Sequence, residues 1–131
     1  MNISAERRLE QLDIALPVAP QPLGAYVPAV QVGDLLFLSG TLPLERGVAK
    51  FQGRIGSDIG LEEARSAARL AALNTLALAR QHLGSLDRVT RLVRLTVTLA
   101  ATAEFRDHAK VADGASELLA SRAACRHSRL D

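Results

Sequence analysis

The stretch that decides the fold is "GAYVPAVQVGDLLFLSGTLP", residues 24–43. It contains two apolar runs, 26–32 and 35–39, which are separated by Gly33 and Asp34. Gly followed by Asp between two such runs is a good signal for a two-residue β-hairpin. The second run is apolar at every position from 35 to 38, which predicts a strand covered on both of its faces.

Periodicity predicts three helices and further strands outside this hairpin. The most regular helix is Leu61–Leu83, where alanines recur at helical spacing and Gly84 follows as a terminating glycine. Val89–Leu99 alternates between apolar residues and a Thr- and Arg-bearing face, which predicts a strand. The other predictions are a helix over 4–16 capped by Ser4, an extended linker over 17–22, a short strand within 51–55, and a helix from Ala103 to about Ala120 capped by Thr102.

This order of elements predicts an α+β fold in which the helices pack on one side of the strands. The apolar face of the 89–99 strand is assigned to the helices. Its opposite face is either solvated or meets the same face of another subunit. Its members are Thr90, Leu92, Arg94, Thr96 and Thr98. A length of 131 residues suits one domain over 1–131, with a helix and linker over 1–22 and a tail over 121–131.

Composition argues against several classes of protein. The formal charge is +2, from 16 Lys and Arg against 14 Asp and Glu, which is too small to indicate nucleic acid as a partner. Cys125 is the only cysteine, and no apolar run is long enough for a signal peptide or a membrane span. We therefore expect a cytoplasmic protein with no membrane partner. The three histidines have no ligand spacing, so no metal site is predicted. They are His82, His108 and His127.

Several phrases of the chain, taken together, resemble the RidA/YjgF family of reactive-intermediate (enamine/imine) deaminases. They are "GAYVPAV…GDLLFLSGTLPL", "LEEARSAARLAALNTLALAR", "RLTVTLA" and "KVADGASELL". The N-terminal "SAERRLEQLDIALP" resembles the longer branch of that family. The resemblance implies a chorismate-mutase-like mixed sheet with two long helices on one face, plus an N-terminal helix. It also implies a homotrimer with a ligand cleft between each pair of subunits.

The resemblance implies a hydrolase that needs no metal or organic cofactor. Its substrates would be 2-aminoacrylate-like enamines and imines, which are hydrolysed to 2-keto acids and ammonia. Ser39 would be catalytic, while Tyr26, Gly40 and Thr41 would bind the substrate. A hydroxyl and an open backbone at a strand end allow a small planar ligand to come close. The alternative is that Ser39 and Gly40 only end a strand, and that Tyr26 is an edge-packing aromatic residue.

The tail contains "CRHSR", residues 125–129, which is similar to the family's carboxylate-binding segment. This similarity implies that Arg129 holds the substrate carboxylate and acts in catalysis, with Arg126 as the second choice. The alternative is that both are cations on a solvated tail. The family continues into two further strands, the last of which carries an acid, and no residue here is assigned that role. We therefore expect an unpaired strand edge and a need for oligomerisation.

Two other functions compete with deamination. A non-catalytic member of the same fold would bind a carboxylate ligand, or regulate through it, without turning it over. Some relatives carry an endoribonuclease label. The chain lacks the clustered basic and aromatic residues that RNA binding favours, so this option is the weakest of the three.

Overall fold

The structure is a computed structural model that describes residues 3–22 and 24–120, and it confirms the α+β prediction. Within these residues no helix combines the length and the apolar character needed to cross a membrane. In chain order the elements are α1 (Ala5–Gln11), β1 (Ala29–Val32), β2 (Leu35–Leu38), β3 (Leu44–Glu45), β4 (Val48–Ala49), α2 (Leu61–Leu83), a 3₁₀ turn (Leu86–Arg88) and α3 (His108–Leu118).

Helix α2 has the predicted bounds and forms the centre of the core. Gly84 takes a left-handed conformation, with φ of 86°, and its N–H donates to the Arg80 carbonyl, so glycine ends the helix as predicted. Helix α3 crosses α2 very closely at Gly114. A Cβ added there would lie 2.2 Å from the Arg65 carbonyl oxygen, which is too close for any side chain. The buried hydrophobic residues of α2 are Ala64, Ala68, Ala72, Leu76, Ala77, Leu78 and Ala79. Small side chains therefore set the spacing of this helical layer.

The first and last helices are shorter than predicted. Helix α1 has the predicted Ser4 cap but ends at Gln11, and Asp13 then turns left-handed with φ of 55°. The prediction that Thr102 caps the last helix is wrong, since α3 begins at His108. The N–H of Thr102 donates to the Ile55 carbonyl at 3.0 Å, which holds this residue in a bridge to a distant segment.

The predicted hairpin is confirmed, with Val32 opposite Leu35 and the turn at Gly33 and Asp34. Gly33 has φ of 57° and Asp34 has no positive φ, which matches a type II′ turn. Within the single chain, β2 is covered on one face only, and not on both as predicted. Leu36 and Leu38 pack against the core, whereas Leu35 and Phe37 are half-exposed, because the helices lie on one side only.

The predicted strand over 89–99 forms no strand ladder among the described residues. Val89, Val97 and Leu99 pack against the core as predicted, but Val93 is 67% exposed and Leu95 is also exposed. In the single chain, these two residues are therefore not covered by the helices to which the prediction assigned them.

The remaining strands also differ from the prediction. Ile55 forms only single bridges, to Ile59 and Ala101, so the short strand within 51–55 reduces to one residue. A small hairpin, β3–β4, lies earlier in the chain. In place of one mixed sheet, the described residues form two antiparallel sheets of two strands each, and the Ile55 bridges are parallel.

Candidate active site

A small cleft lies where the N-terminal linker, the end of the hairpin and α2 meet. Its volume is about 30 Å³. It brings together four residues that the sequence singled out, namely Tyr26, Ser39, Gly40 and Thr41. The linker contributes Pro20, Gln21 and Pro22, and α2 contributes Leu78. Residues 21 and 78 are far apart in the sequence, so only the fold brings these walls together.

Ser39 and Gly40 form the part of the cleft that follows β2. The Ser39 N–H donates to the Pro28 carbonyl at 2.9 Å, which extends the hairpin ladder beyond the strand and fixes Ser39. The Ser39 hydroxyl makes no hydrogen bond to another described residue. A Cβ on Gly40 would meet nothing within 4 Å, and its φ is not positive. The backbone beside this hydroxyl is therefore open to an approaching molecule.

Thr41 is directed toward α2. Its Oγ1 donates to the Ala71 carbonyl at 2.7 Å and lies 2.8 Å from the Thr75 Oγ1. These bonds use the hydroxyl to hold the loop after β2 against the helix. The geometry therefore makes Thr41 a positioning residue for the neighbouring Ser39 and Gly40, and its predicted contact with substrate stays a prediction.

Asn74 is a site-supporting residue that the sequence analysis missed. It is 2% exposed, and its Nδ2 donates to the carbonyls of Leu42 and Leu44, each at 2.9 Å. A buried amide with both protons bonded fixes the loop that forms one side of the cleft. A signal was available, because Asn is a poor helix former and stands here in a run of Ala and Leu.

The cleft has a neutral lining in the part of the chain that the structure describes. Tyr26 is half-exposed at the rim. The predicted carboxylate-binding residue Arg129 and its alternative Arg126 lie outside the described residues. Any positive charge for an anionic ligand must therefore come from outside this lining.

Helix α1 is fixed by a charged contact with the end of α2. The Glu6 carboxylate accepts from Arg80 at 3.0 and 2.5 Å and from the Leu86 N–H at 2.9 Å. The Glu6 N–H donates to Asp87. The hydrogen bond from Arg80 lowers the pKa of Glu6, against the opposing effect of burial. The helix that precedes the linker therefore has a fixed position.

Two of the three histidines contact residues that do not line the cleft. His82 Nε2 lies 3.3 Å from Gln31 Oε1, and His108 stacks edge-on to Phe105 with ring centroids 5.2 Å apart. His127 lies outside the described residues. Across residues 3–22 and 24–120, no three His, Cys, Asp or Glu side chains are grouped as a metal site would require.

Known proteins are similar to this chain in sequence and in fold. Residues 6–131 match the family described as "YjgF/chorismate_mutase-like, putative endoribonuclease". Protein TCP17 of Trypanosoma cruzi is 37% identical over 113 residues, which are 86% of this chain and 71% of that protein. RutC family protein y4sK of Sinorhizobium fredii is 33% identical over 96 residues, which are 73% of this chain and 68% of that protein.

Two crystal structures are similar over most of the chain. One, from Shewanella oneidensis MR-1, is described as a "putative endoribonuclease"; it has a TM-score of 0.84 and 35% identity, and the match covers 96% of this chain and 85% of that one. The other, Atu1372 from Agrobacterium tumefaciens, has unknown function; its TM-score is 0.81 with 37% identity, and coverage is 92% and 74%. The predicted chorismate-mutase-like fold is thereby confirmed.

Proposed function

Since the chain belongs to the RidA/YjgF family, we propose that it is a cytoplasmic enamine/imine deaminase that works at a cleft between subunits of a homotrimer. The observation that carries the proposal is the convergence of Tyr26, Ser39 and Gly40 on one small cleft. These residues offer an aromatic ring as one wall, a hydroxyl with no hydrogen-bond partner among the described residues, and a backbone that is open to a ligand. A small planar acid needs these features, and a large polymer does not.

The reaction needs little more than positioning. An enamine such as 2-aminoacrylate first takes a proton at its methylene carbon while its nitrogen releases one, and becomes an imine. Water then adds to the imine carbon, and its proton passes to the nitrogen. The resulting carbinolamine loses ammonia as the carbon–oxygen double bond forms, and pyruvate remains. No electron is gained or lost, so no redox cofactor enters this balance, and a proton relay with good orientation suffices.

We assign the substrate carboxylate to Arg129, because a guanidinium can hold a carboxylate through two parallel hydrogen bonds. We assign Ser39 to hydrogen-bond the attacking water or the departing nitrogen, and the lack of a described partner for its hydroxyl supports this assignment. Thr41 and Asn74 act indirectly, by holding the loop that carries Ser39 and Gly40. In the proposed trimer, a neighbouring subunit supplies the second wall of the cleft.

Two alternatives remain distinct from this proposal. A regulatory member of the fold would bind the carboxylate ligand without turnover. Cleavage of RNA is the weaker alternative, because the sequence lacks the clustered basic and aromatic residues that RNA binding favours.

Ammonia release from 2-aminoacrylate, generated in place by a serine dehydratase, tests the proposal. We expect the wild type to accelerate release, Arg129→Ala to remove most of the gain, and Arg122→Ala in the same tail to retain it. Ser39→Ala should lower the rate without unfolding the protein, which circular dichroism checks. Saturable binding of pyruvate without any acceleration would favour the regulatory alternative. Full activity in Arg129→Ala would refute the assignment of that residue.

A further inference from the structure

The linker segment Pro20–Pro22 is a rigid wall of the cleft. Proline fixes its own φ and has no N–H, and it restricts the preceding residue to extended conformations. Gln21 lies between two prolines, so its backbone has few conformations to lose when a ligand binds. All three residues line the same cleft as Ser39 and Gly40.

This wall is attached at its N-terminal end. Glu6 binds Arg80 and the Leu86 N–H, and Leu9 is buried in the core with 2% exposure. Ile14 and Leu16, which lead into the linker, also pack against that core. The chain that leads into the linker is therefore held by the core up to residue 16.

The side-chain amide of Gln21 can also form a hydrogen bond with a ligand. Its side chain makes no hydrogen bond to another described residue, and it is exposed. Among the polar side chains of the lining, the Thr41 hydroxyl is used by α2, whereas the Ser39 hydroxyl and the Gln21 amide are not. The volume of about 30 Å³ holds only water. A ligand with several heavy atoms must therefore extend beyond this volume, which the linker wall borders.

We propose that Gln21 is a specificity-determining residue whose side-chain amide donates to the carboxylate of the bound ligand. Ser39 would contact the same ligand. The inference rests on the proposed function, because it takes a small carboxylate as the ligand. It adds that the N-terminal linker, and not only the hairpin end and the tail, selects the substrate.

Binding of pyruvate to the full-length protein tests the inference, with titration calorimetry as the readout. Tyrosine emission offers a second readout, because Tyr26 is the only tyrosine, the chain has no tryptophan, and Tyr26 lies at the cleft. We expect Gln21→Leu to weaken pyruvate binding about three- to tenfold through loss of a hydrogen bond. Gln21→Glu should weaken it by about tenfold or more through added repulsion, and Gln21→Lys should strengthen it.

The controls separate a direct contact from a structural effect. Gln52→Glu and Gln52→Lys make the same charge changes at an exposed residue outside the cleft lining, and they should leave the pyruvate Kd unchanged. Pyruvamide, which lacks the carboxylate, should bind wild type and Gln21→Glu about equally well. An equal loss of both ligands in Gln21→Glu would overturn the inference. So would equal pyruvate binding by all Gln21 variants, with the proposed function left intact. A wild type that binds no pyruvate would overturn the inference, and the ammonia-release assay would still decide the proposed function separately.

Discussion

The helical layer and the outer face of the β1–β2 hairpin differ in how completely they are packed. Where α3 crosses α2, Gly114 has no room for even one added carbon. On the hairpin, Val30 pairs with Phe37 and Val32 with Leu35, so all four lie on one face. They are 47%, 57%, 61% and 48% exposed, respectively. The comparison teaches that this chain completes its own packing on the helical side only.

The open face has a physical consequence. Four neighbouring apolar side chains exposed to water form the kind of patch that marks an interaction surface. Val93 and Leu95 of the unpaired 89–99 segment are exposed as well. In the proposed trimer, this outer face would be covered by other subunits. The helical layer would then fold within the single chain, whereas the hairpin face would be buried only on assembly. Three experiments test whether these two events are separate.

Gly114→Ala should have the largest effect on stability. The added carbon would meet the Arg65 carbonyl, which is backbone and cannot turn aside. We expect a net loss of about 2 kcal/mol in the free energy of unfolding, from overpacking partly offset by the better helix propensity of Ala. Urea denaturation measures it. Gly60→Ala is the control, because its added carbon meets nothing within 4 Å. Equal stability of the two variants would mean that the helices are not packed this closely.

Glu6→Gln should have a smaller effect, of about 1 kcal/mol, because Arg80 is 39% exposed and water screens the pair. The pKa of Glu6 is lowered in the folded protein, so its stabilisation is present above the ordinary glutamate pKa and is lost as the pH falls through the folded value. The stability difference between wild type and variant should therefore shrink below about pH 4. Glu10→Gln, at an exposed position of the same helix, is the control. A difference that did not change with pH would contradict the role of this carboxylate.

Phe37→Lys should have the smallest effect on the stability of the single chain, within about 0.5 kcal/mol, because the side chain is already half in water. Its effect should appear in assembly. If the trimer forms through this face, light scattering should give a mass near 42 kDa (three times 14.0 kDa) for the wild type and a lower mass for the variant. Val48→Lys, at an exposed apolar residue outside the hairpin, should keep the larger mass. A change of mass with Val48→Lys alone would place the interface elsewhere.

The sequence by itself determined the elements whose signals are local. Leu61–Leu83 followed from its alanine spacing and Gly84, and the hairpin followed from Gly33 and Asp34, because each signal lies within a few residues of the structure that it specifies. The motifs also indicated the family and singled out Ser39 and Gly40. The functional roles of these residues, and of Arg129, stay predictions.

Only the tertiary structure decided the features that depend on distant contacts. These are the hydrogen bond from the Thr102 N–H to the Ile55 carbonyl, found in place of the predicted helix cap, and the exposure of the outer face of β2 in the single chain. The linker wall at Gln21 and the amide of Asn74 also belong to this class. Periodicity reports whether a side chain can be buried, but which surface buries it depends on residues tens of positions away, and no local pattern records those.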